Sequence, residues 1–409
     1  MAKCLICEGS YEPFISFGKQ PIANGFLTPD RIKDEYFFEM IVGYCPSCEM
    51  VQLVDQPERE RMFNENYAFF SGTSKLMAVH FQKFYEFLRE NYMKSPDPFV
   101  VEMGSNDGIM LQNFAQAKIR HLGIEPSANV AKVAQEKGIN TIVEFFDEAV
   151  AQKVVAKYGK ADAFYCANVM CHIPYIHSVA AGIKTILGPK GVLAFEDPYL
   201  GDIVEKTSYD QVYDEHVFFF SVASVSNLFG RHGLEVIDAI PQETHGGSMR
   251  YILAHKGAYP VSDRVAKQRE IEKKLGLDKQ ETYAQLRRNI EKSREELVAL
   301  LKKIKAEGGR VVGYGATSKS TTILNYCGIG PDLIEFISDT TPIKQGKLSP
   351  GVHIPVLPYE KFVEKYPTYA LLFAWNHRKE IMAKESAFLA AGGKWITYVP
   401  NVHIFDKPD

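Results

Sequence analysis

Hydrophobic positions set distinct rhythms along this chain. From Phe99 onward, short apolar runs alternate with helical patterns. They predict strands at Phe99–Met103, His121–Glu125, Asn140–Val143, Ala161–Ala167 and Gly191–Phe195. Helical stretches between successive strands are the pattern of a parallel, doubly wound α/β sheet. A helix near Val222–Arg231 follows, then strands at Leu234–Ile240 and Met249–Ala254 with Gly246-Gly247 between them. Strands joined so closely should pair antiparallel at the end of the sheet.

The flanking rhythms differ. Residues 1–70 are short-stranded and turn-rich, punctuated by Pro21, Gly25, Pro29 and Pro46. Ser71-Gly72-Thr73-Ser74 then caps a helix running to about Tyr92, with Leu76, Val79, Phe84, Phe87 and Leu88 as its apolar face. Residues 262–307 are dense in Lys, Glu and Arg and are interrupted by Gly276, which reads as a solvated helix or helix pair linking domains. Arg310–Tyr314 opens a second strand–loop–helix unit, with further strands at Leu333–Ser338 and Tyr369–Ala374. The chain therefore divides into 1–70, a central α/β domain at 71–256, a charged helical linker at 257–309 and a smaller α/β domain at 310–409.

Composition narrows the function. At 46% hydrophobic and 24% charged residues, the 409-residue chain is not a disordered one. A net charge of −3 supplies no basic face for nucleic acid or a membrane surface. No apolar run approaches the roughly 18 residues of a membrane helix, and Met-Ala-Lys-Cys lacks an apolar signal core. Seven cysteines, four of them in two tight pairs, point to metal and to the cytoplasm rather than to a disulfide framework.

Those pairs are Cys4-Leu-Ile-Cys7 and Cys45-Pro-Ser-Cys48. Two residues between thiols let both sulfurs reach one tetrahedral ion at about 2.3 Å, and two such turns complete a four-thiolate zinc site. With every position filled by thiolate, the ion is structural. Disulfides or a redox CxxC are the competing readings, but a redox motif needs one pair before a helix, not two. Cys166, Cys171 and Cys327 read as small core residues.

Val100-Val-Glu102-Met-Gly104-Ser-Asn106-Asp-Gly108-Ile follows a buried strand and opens a helix. Its glycines let the turn approach a ligand closely, and Glu125, ending the next strand, is placed to accept from ribose hydroxyls. This fits either a nicotinamide cofactor or S-adenosylmethionine. Glu102 at the strand end, the antiparallel terminal pair and Asn168 facing the crevice favour the methyl donor; a nucleotide-free scaffold is the plainer alternative.

Tyr209-Asp-Gln-Val-Tyr213-Asp214-Glu215-His216 crowds polar groups beside Val217-Phe-Phe-Phe220. A histidine suits a general base near neutral pH, a carboxylate can orient it, and Tyr213 can hydrogen-bond an oxyanion. A capping and packing segment is the plain reading. His172, in Cys171-His-Ile-Pro-Tyr175, belongs at the same sheet edge, and Tyr67 lies where the first lobe meets the central domain. In the second glycine loop, Gly313-Tyr-Gly315-Ala-Thr317-Ser318-Lys319, backbone amides and polar side chains can cradle a pyrophosphate. A second dinucleotide site, with Asp339 on the ribose, competes. Lys344 and Lys347 are possible phosphate contacts or simply solvated. His245, Gly247 and Ser248 approach a substrate or merely connect two strands.

Taken in order, Cys4/Cys7/Cys45/Cys48, Glu102-Met-Gly-Ser-Asn-Asp-Gly108, Cys171-His-Ile-Pro174, Tyr213-Asp-Glu-His216 and Thr244-His-Gly-Gly-Ser248 resemble the nucleotide-sugar C-methyltransferases over essentially the whole chain. The resemblance implies a zinc-binding N-terminal lobe, a central S-adenosylmethionine domain and a C-terminal Rossmann-like domain that helps hold a dTDP- or GDP-linked keto-deoxysugar. It also implies a monomer. By the same resemblance the catalytic residues are Tyr67, His172, Tyr213, Glu215 and His216; the glycine loop and strand ends make Glu102, Gly104, Asn106, Gly108, Glu125 and Asn168 the expected donor contacts. Sugar-nucleotide contacts would be His245, Gly247, Ser248, Gly315, Thr317, Ser318 and Lys319. The expected reaction is methylation beside the ketone of a 4-keto-6-deoxysugar, C-3 favoured. His216 would form the enolate, Glu215 orient its ring, and Tyr213, with Tyr67 or His172, hydrogen-bond the enolate oxygen. An NAD-dependent nucleotide-sugar oxidoreductase and a non-catalytic nucleotide-sugar-binding protein are the alternatives.

Overall fold

A computed structural model describes residues 2–63, 71–73 and 75–407; the element counts below are among the described residues. The N-terminal lobe carries β1 (Pro13–Pro21), β2 (Phe37–Cys45) and β3 (Met50–Leu53) in an antiparallel sheet. Helix α1 (Lys75–Asn91) leads into the central domain. Its packed stripe is Phe81, Phe84 and Leu88, whereas the predicted face members Leu76 and Val79 stand 54% and 52% exposed. Val79 precedes Phe81 by two residues, about 200° of helical rotation, so both cannot face one core.

The central sheet takes its parallel strands from β4 (Phe99–Met103), β5 (Arg120–Ile124), β6 (Thr141–Ile142), β7 (Ala161–Ala167) and β8 (Leu187–Pro198). All five residues of β4 are buried, as expected of a strand covered on both faces. β9 (Phe218–Phe219) leaves this domain and pairs with β3, closing the lobe's sheet edge. β10 (Leu234–Gln242) and β11 (Ser248–His255) return as the antiparallel pair, giving seven strands in the order β10-β11-β8-β7-β4-β5-β6.

The charged stretch is not simply solvated. It forms α2 (Asp263–Leu275), closed by left-handed Gly276, and α3 (Gln280–Ala306). Along α3, Tyr283, Leu286, Ile290, Leu297, Leu301 and Ile304 are buried, and Tyr283 stacks on Tyr44 of the lobe with ring centroids 4.4 Å apart. Lys, Glu and Arg fill the other face, so bulk composition hid an apolar stripe of helical period.

The C-terminal sheet contains β12 (Val311–Tyr314), β13 (Ile337–Ser338), β14 (Val356–Leu357), β15 (Tyr369–Leu372), β16 (Lys394–Thr397) and β17 (His403–Phe405). Their order is β14-β13-β12-β15-β16-β17, parallel except for the last pair. β13 is shorter than predicted because Leu333 and Ile334 turn back onto the carbonyl of Gly330. Helix α4 (Ser318–Cys327) follows β12. No helix among the described residues is long and apolar enough to cross a membrane.

Candidate active site

The four paired cysteines meet as the spacing predicts. Sγ atoms of Cys4 and Cys48, and of Cys7 and Cys45, lie 3.5 Å apart, and all four ligand atoms lie within 4.8 Å of one another. A tetrahedral ion at about 2.3 Å holds sulfurs about 3.8 Å apart, so the cluster fits zinc and not disulfides. Both knuckles fold alike, with Glu8 and Glu49 left-handed and bonding back to the carbonyls of Cys4 and Cys45. The Ile6 amide also points at Cys4 Sγ, 3.3 Å away, a contact that favours the thiolate.

At the carboxyl end of β4, Gly104, Asn106 and Gly108 all have positive φ. A Cβ on Gly104 would strike Val169 at 2.4 Å, so glycine is required there by packing as well as conformation. Glu125 accepts from the amides of Asn106 and Ser127, both at 2.9 Å, and thereby holds the loop. Ser71 and Gly72 close the loop's other side by donating to Asn106 and Asp107. Glu102 is buried with Oε2 unpartnered, and burial, then Glu125 and Asp107, push its carboxyl well above the usual range. An orphaned buried acid beside an open-backbone turn fits a cationic amino-acid donor such as S-adenosylmethionine.

His216 sits where all three folded units meet. A tight turn at Tyr209–Gln211 presents the Gln211 carbonyl to His216 Nδ1 at 2.8 Å. A carbonyl only accepts, so Nδ1 carries the hydrogen and Nε2 keeps its lone pair. This corrects the expectation that Glu215 orients the ring: the backbone does so, because the turn brings its carbonyl beside Nδ1. Glu215 instead accepts from Asn24 Nδ2 at 2.7 Å, and Asp214 accepts from the Ala23 amide at 3.0 Å. Thr321 of α4 donates to the Ala23 carbonyl and Thr322 to that of Val212, locking lobe, His216 loop and C-terminal domain together. The Leu53 amide donates to the carbonyl of Val217, next to His216.

Around His216 stand Tyr213, with ring centroids 4.0 Å apart, and His172, at 5.2 Å and stacked. Burial, then His172, keeps His216 neutral well below the ordinary histidine range; Lys319 and His245 act in the same direction. Burial pushes His172 down to about 3, and its Nε2 has no partner. His245, left-handed at φ +55°, bonds Asn168 Nδ2 through Nε2 at 2.9 Å and is likewise pushed down to about 3 by burial and Lys319. The approach of residues 245–248 is tight: a Cβ on Gly247 would meet Asp202 at 2.3 Å, and Ser248 is buried.

Family models match the chain in three consecutive pieces. A "Putative zinc binding domain" covers residues 4–63, a methyltransferase domain 77–239 and a C-methyltransferase C-terminal domain 243–400. The C-methyltransferase NovU of Streptomyces niveus is 33% identical over 405 residues, 98% of this chain and 96% of NovU. The chain belongs to the C-methyltransferase family. Solved structures similar to it include an S-adenosylmethionine-dependent methyltransferase from Anabaena variabilis, at 13% identity and TM-score 0.36, covering 45% of this chain and 86% of that one. Another is the magnesium protoporphyrin IX methyltransferase of Synechocystis, at 16% identity and TM-score 0.33, covering 44% and 80%.

This C-methyltransferase uses S-adenosylmethionine and carries a zinc-binding lobe; the nicotinamide and non-catalytic readings are set aside. Asp339 is already engaged, accepting from the amide of Ala316 in the second glycine loop and from that of Thr341 in its own. The second glycine loop turns inward. Gly315 is at φ +89° and Thr317 caps α4 by accepting from the Ser320 amide, with Ser318 as the first residue of the helix. Lys319 reaches back to the His245 carbonyl at 3.4 Å and lies over the Trp375 ring at 5.2 Å. Lys344 is not solvated; it donates to the Ala316 carbonyl at 2.7 Å. Tyr67 lies outside the described residues.

Sequence reasoning missed Asn24, Gln211, Asp210 and Trp375. Buried Asp210 accepts from the Trp375 indole at 2.6 Å and from Tyr398 at 2.9 Å, and it faces Lys319. Asn24 had one signal, a lone amide in the Pro21-Ile-Ala-Asn-Gly25 turn. Gln211 acts through its carbonyl, which no residue type announces.

Proposed function

We propose that this enzyme methylates a nucleotide-linked 4-keto-6-deoxysugar on a carbon beside the ketone, C-3 in preference, through an enolate formed by His216. The observation that carries the reading is the buried imidazole whose Nδ1–H is fixed on the Gln211 carbonyl, leaving Nε2 as an acceptor beside Tyr213 and His172. Carbon is a poor nucleophile until it is an enolate, so C-methylation calls for such a base beside a carbonyl.

His216 Nε2 takes the proton from the carbon next to the ketone. The imidazolium so formed lies against the Tyr213 ring, whose face offsets its charge. Tyr213 and His172, with Tyr67, donate to the enolate oxygen, a role worth about 3 kcal/mol per donor in comparable sites. Glu102, Gly104, Asn106, Gly108, Glu125 and Asn168 would hold S-adenosylmethionine, which supplies an electrophilic methyl group when bound. Burial of the His216 loop excludes water while donor and enolate charges cancel.

A cleft of about 470 Å³ that includes Ile22, Phe26, Arg31, Tyr36, Arg61 and Lys347 supports a nucleotide as the sugar's carrier. Ile22 adjoins Ala23 and Asn24, which bond the His216 loop, and Lys344 lies over Phe26 at 5.0 Å. Its aromatic faces suit a base, and Arg31, Arg61 and Lys347, set against Asp34 and Glu35, leave a net positive lining for a pyrophosphate, with His245, Gly247, Ser248, Gly315, Thr317, Ser318 and Lys319 on the sugar side. Incubation with S-adenosylmethionine and dTDP- or GDP-4-keto-6-deoxyglucose should give a product heavier by one methylene, with the new carbon bonded to ring carbon by NMR. Methyl transfer to oxygen, or none with both ligands bound, contradicts the reading.

A further inference from the structure

We propose that Cys171, His172 and His216 form a second, inhibitory metal site for a borderline-soft divalent cation such as Zn²⁺. Their ligand atoms all lie within 4.8 Å of one another. A tetrahedral ion held at about 2.0–2.3 Å sets its ligand atoms roughly 3.3–3.8 Å apart. Closure therefore takes at most about 1.5 Å of side-chain movement.

Each donor is prepared for this. The Nδ1–H of His216 is spent on a backbone carbonyl, the arrangement that metal-bound histidines adopt at their second nitrogen. His172 Nε2 is buried without a hydrogen-bond partner, a cost that a cation would remove. Cys171 lies on the turn Met170–His172 that directly precedes His172's exit toward His216, with its sulfur buried. Beside it Asp197 accepts from the Cys171 amide at 3.1 Å through Oδ2, while Oδ1 is buried and unpartnered.

Binding would release the Cys171 thiol proton to solvent, leaving one thiolate and two neutral imidazoles around the ion. The fourth position stays open to water, unlike the closed four-thiolate site. Hard cations such as Mg²⁺ are excluded by the sulfur and nitrogen ligands. The ion would occupy the Nε2 lone pair of His216, so free zinc beyond the structural equivalent should stop turnover. That consequence rests on the enolisation reading; the binding itself does not.

The test uses the full chain with its structural zinc in place, titrated with Co²⁺. A near-ultraviolet thiolate-to-cobalt charge-transfer band should grow to one equivalent and be lost in Cys171→Ala. X-ray absorption of the wild-type complex should show one sulfur and two nitrogen ligands, a measurement independent of how the variant folds. No band, an unchanged band in Cys171→Ala, or a four-sulfur shell overturns the site. Turnover should fall in step with the band and return with a chelator that leaves the structural zinc. Unchanged turnover at full occupancy overturns the inhibition alone, whereas full activity of His216→Ala would instead sink the enolisation reading.

Discussion

His216 Nδ1 and the carbonyl oxygen of Gln211, five residues earlier, are 2.8 Å apart, so the ring's tautomer is set by backbone. A backbone acceptor cannot be removed by substitution and does not titrate. The pH behaviour of the site therefore belongs to Nε2. Since burial, His172 and Lys319 hold His216 well below its ordinary value, the ring remains neutral as pH falls through the usual histidine range. Turnover should not decline between pH 7.5 and about 5.5, where a solvent-like histidine near 6.5 would already be mostly protonated. The check is an acid-limb profile of kcat alongside the His216 ring proton shift; an inflection near 6.5 in both contradicts it.

Asn24 should matter although it sits in the zinc lobe. Its amide is 2.7 Å from buried Glu215, and hydrogen bonds to buried charged groups are worth about 1.5–3 kcal/mol. Asn24→Ala should lower kcat by about 10- to 100-fold with little change in adenosylhomocysteine affinity. Steady-state kinetics and calorimetry separate the two effects.

Much of this architecture was legible in the chain, and the exceptions have physical causes. Strands Phe99–Met103 and Ala161–Ala167 agree with their apolar runs end to end, because strands covered on both faces leave no polar ambiguity. The cysteine knuckles announce their cluster because two CxxC pairs together let four thiolates reach one ion. The α1 face was misjudged because Leu76 and Val79 are apolar yet exposed, and helical rotation decides orientation. Asp210, Trp375 and Asn24 were invisible for another reason. Each gains its role from a partner more than 150 residues away, a relationship that local pattern does not encode.

Gly246 should tolerate no side chain. Its φ is +89°, and a Cβ would meet the Trp375 ring at 2.2 Å. Gly246→Ala is expected to cost about 1–3 kcal/mol from backbone strain alone, with the displaced indole losing its bond to Asp210. A lower thermal midpoint with altered tryptophan emission tests this, since only two tryptophans contribute.

Zinc should be needed for catalysis without touching substrate. The lobe supplies Asn24 and Ala23 to the His216 loop, and its strand β3 pairs with β9 just beyond His216. Stripping the metal, or Cys45→Ser, should lower the melting temperature and abolish turnover. One equivalent of Zn²⁺ should restore the stripped protein, as read by metal content and activity together.

The central claim is that His216 makes an enolate before methyl transfer. It is tested most directly by incubating the enzyme in D₂O with the 4-keto-6-deoxysugar nucleotide and adenosylhomocysteine, and following deuterium at the carbons beside the ketone. Wild-type protein should wash deuterium into one of those positions, while His216→Ala, with zinc and donor site intact, should be slower by about 10²–10⁴-fold. Exchange at the wild-type rate in His216→Ala would contradict the account.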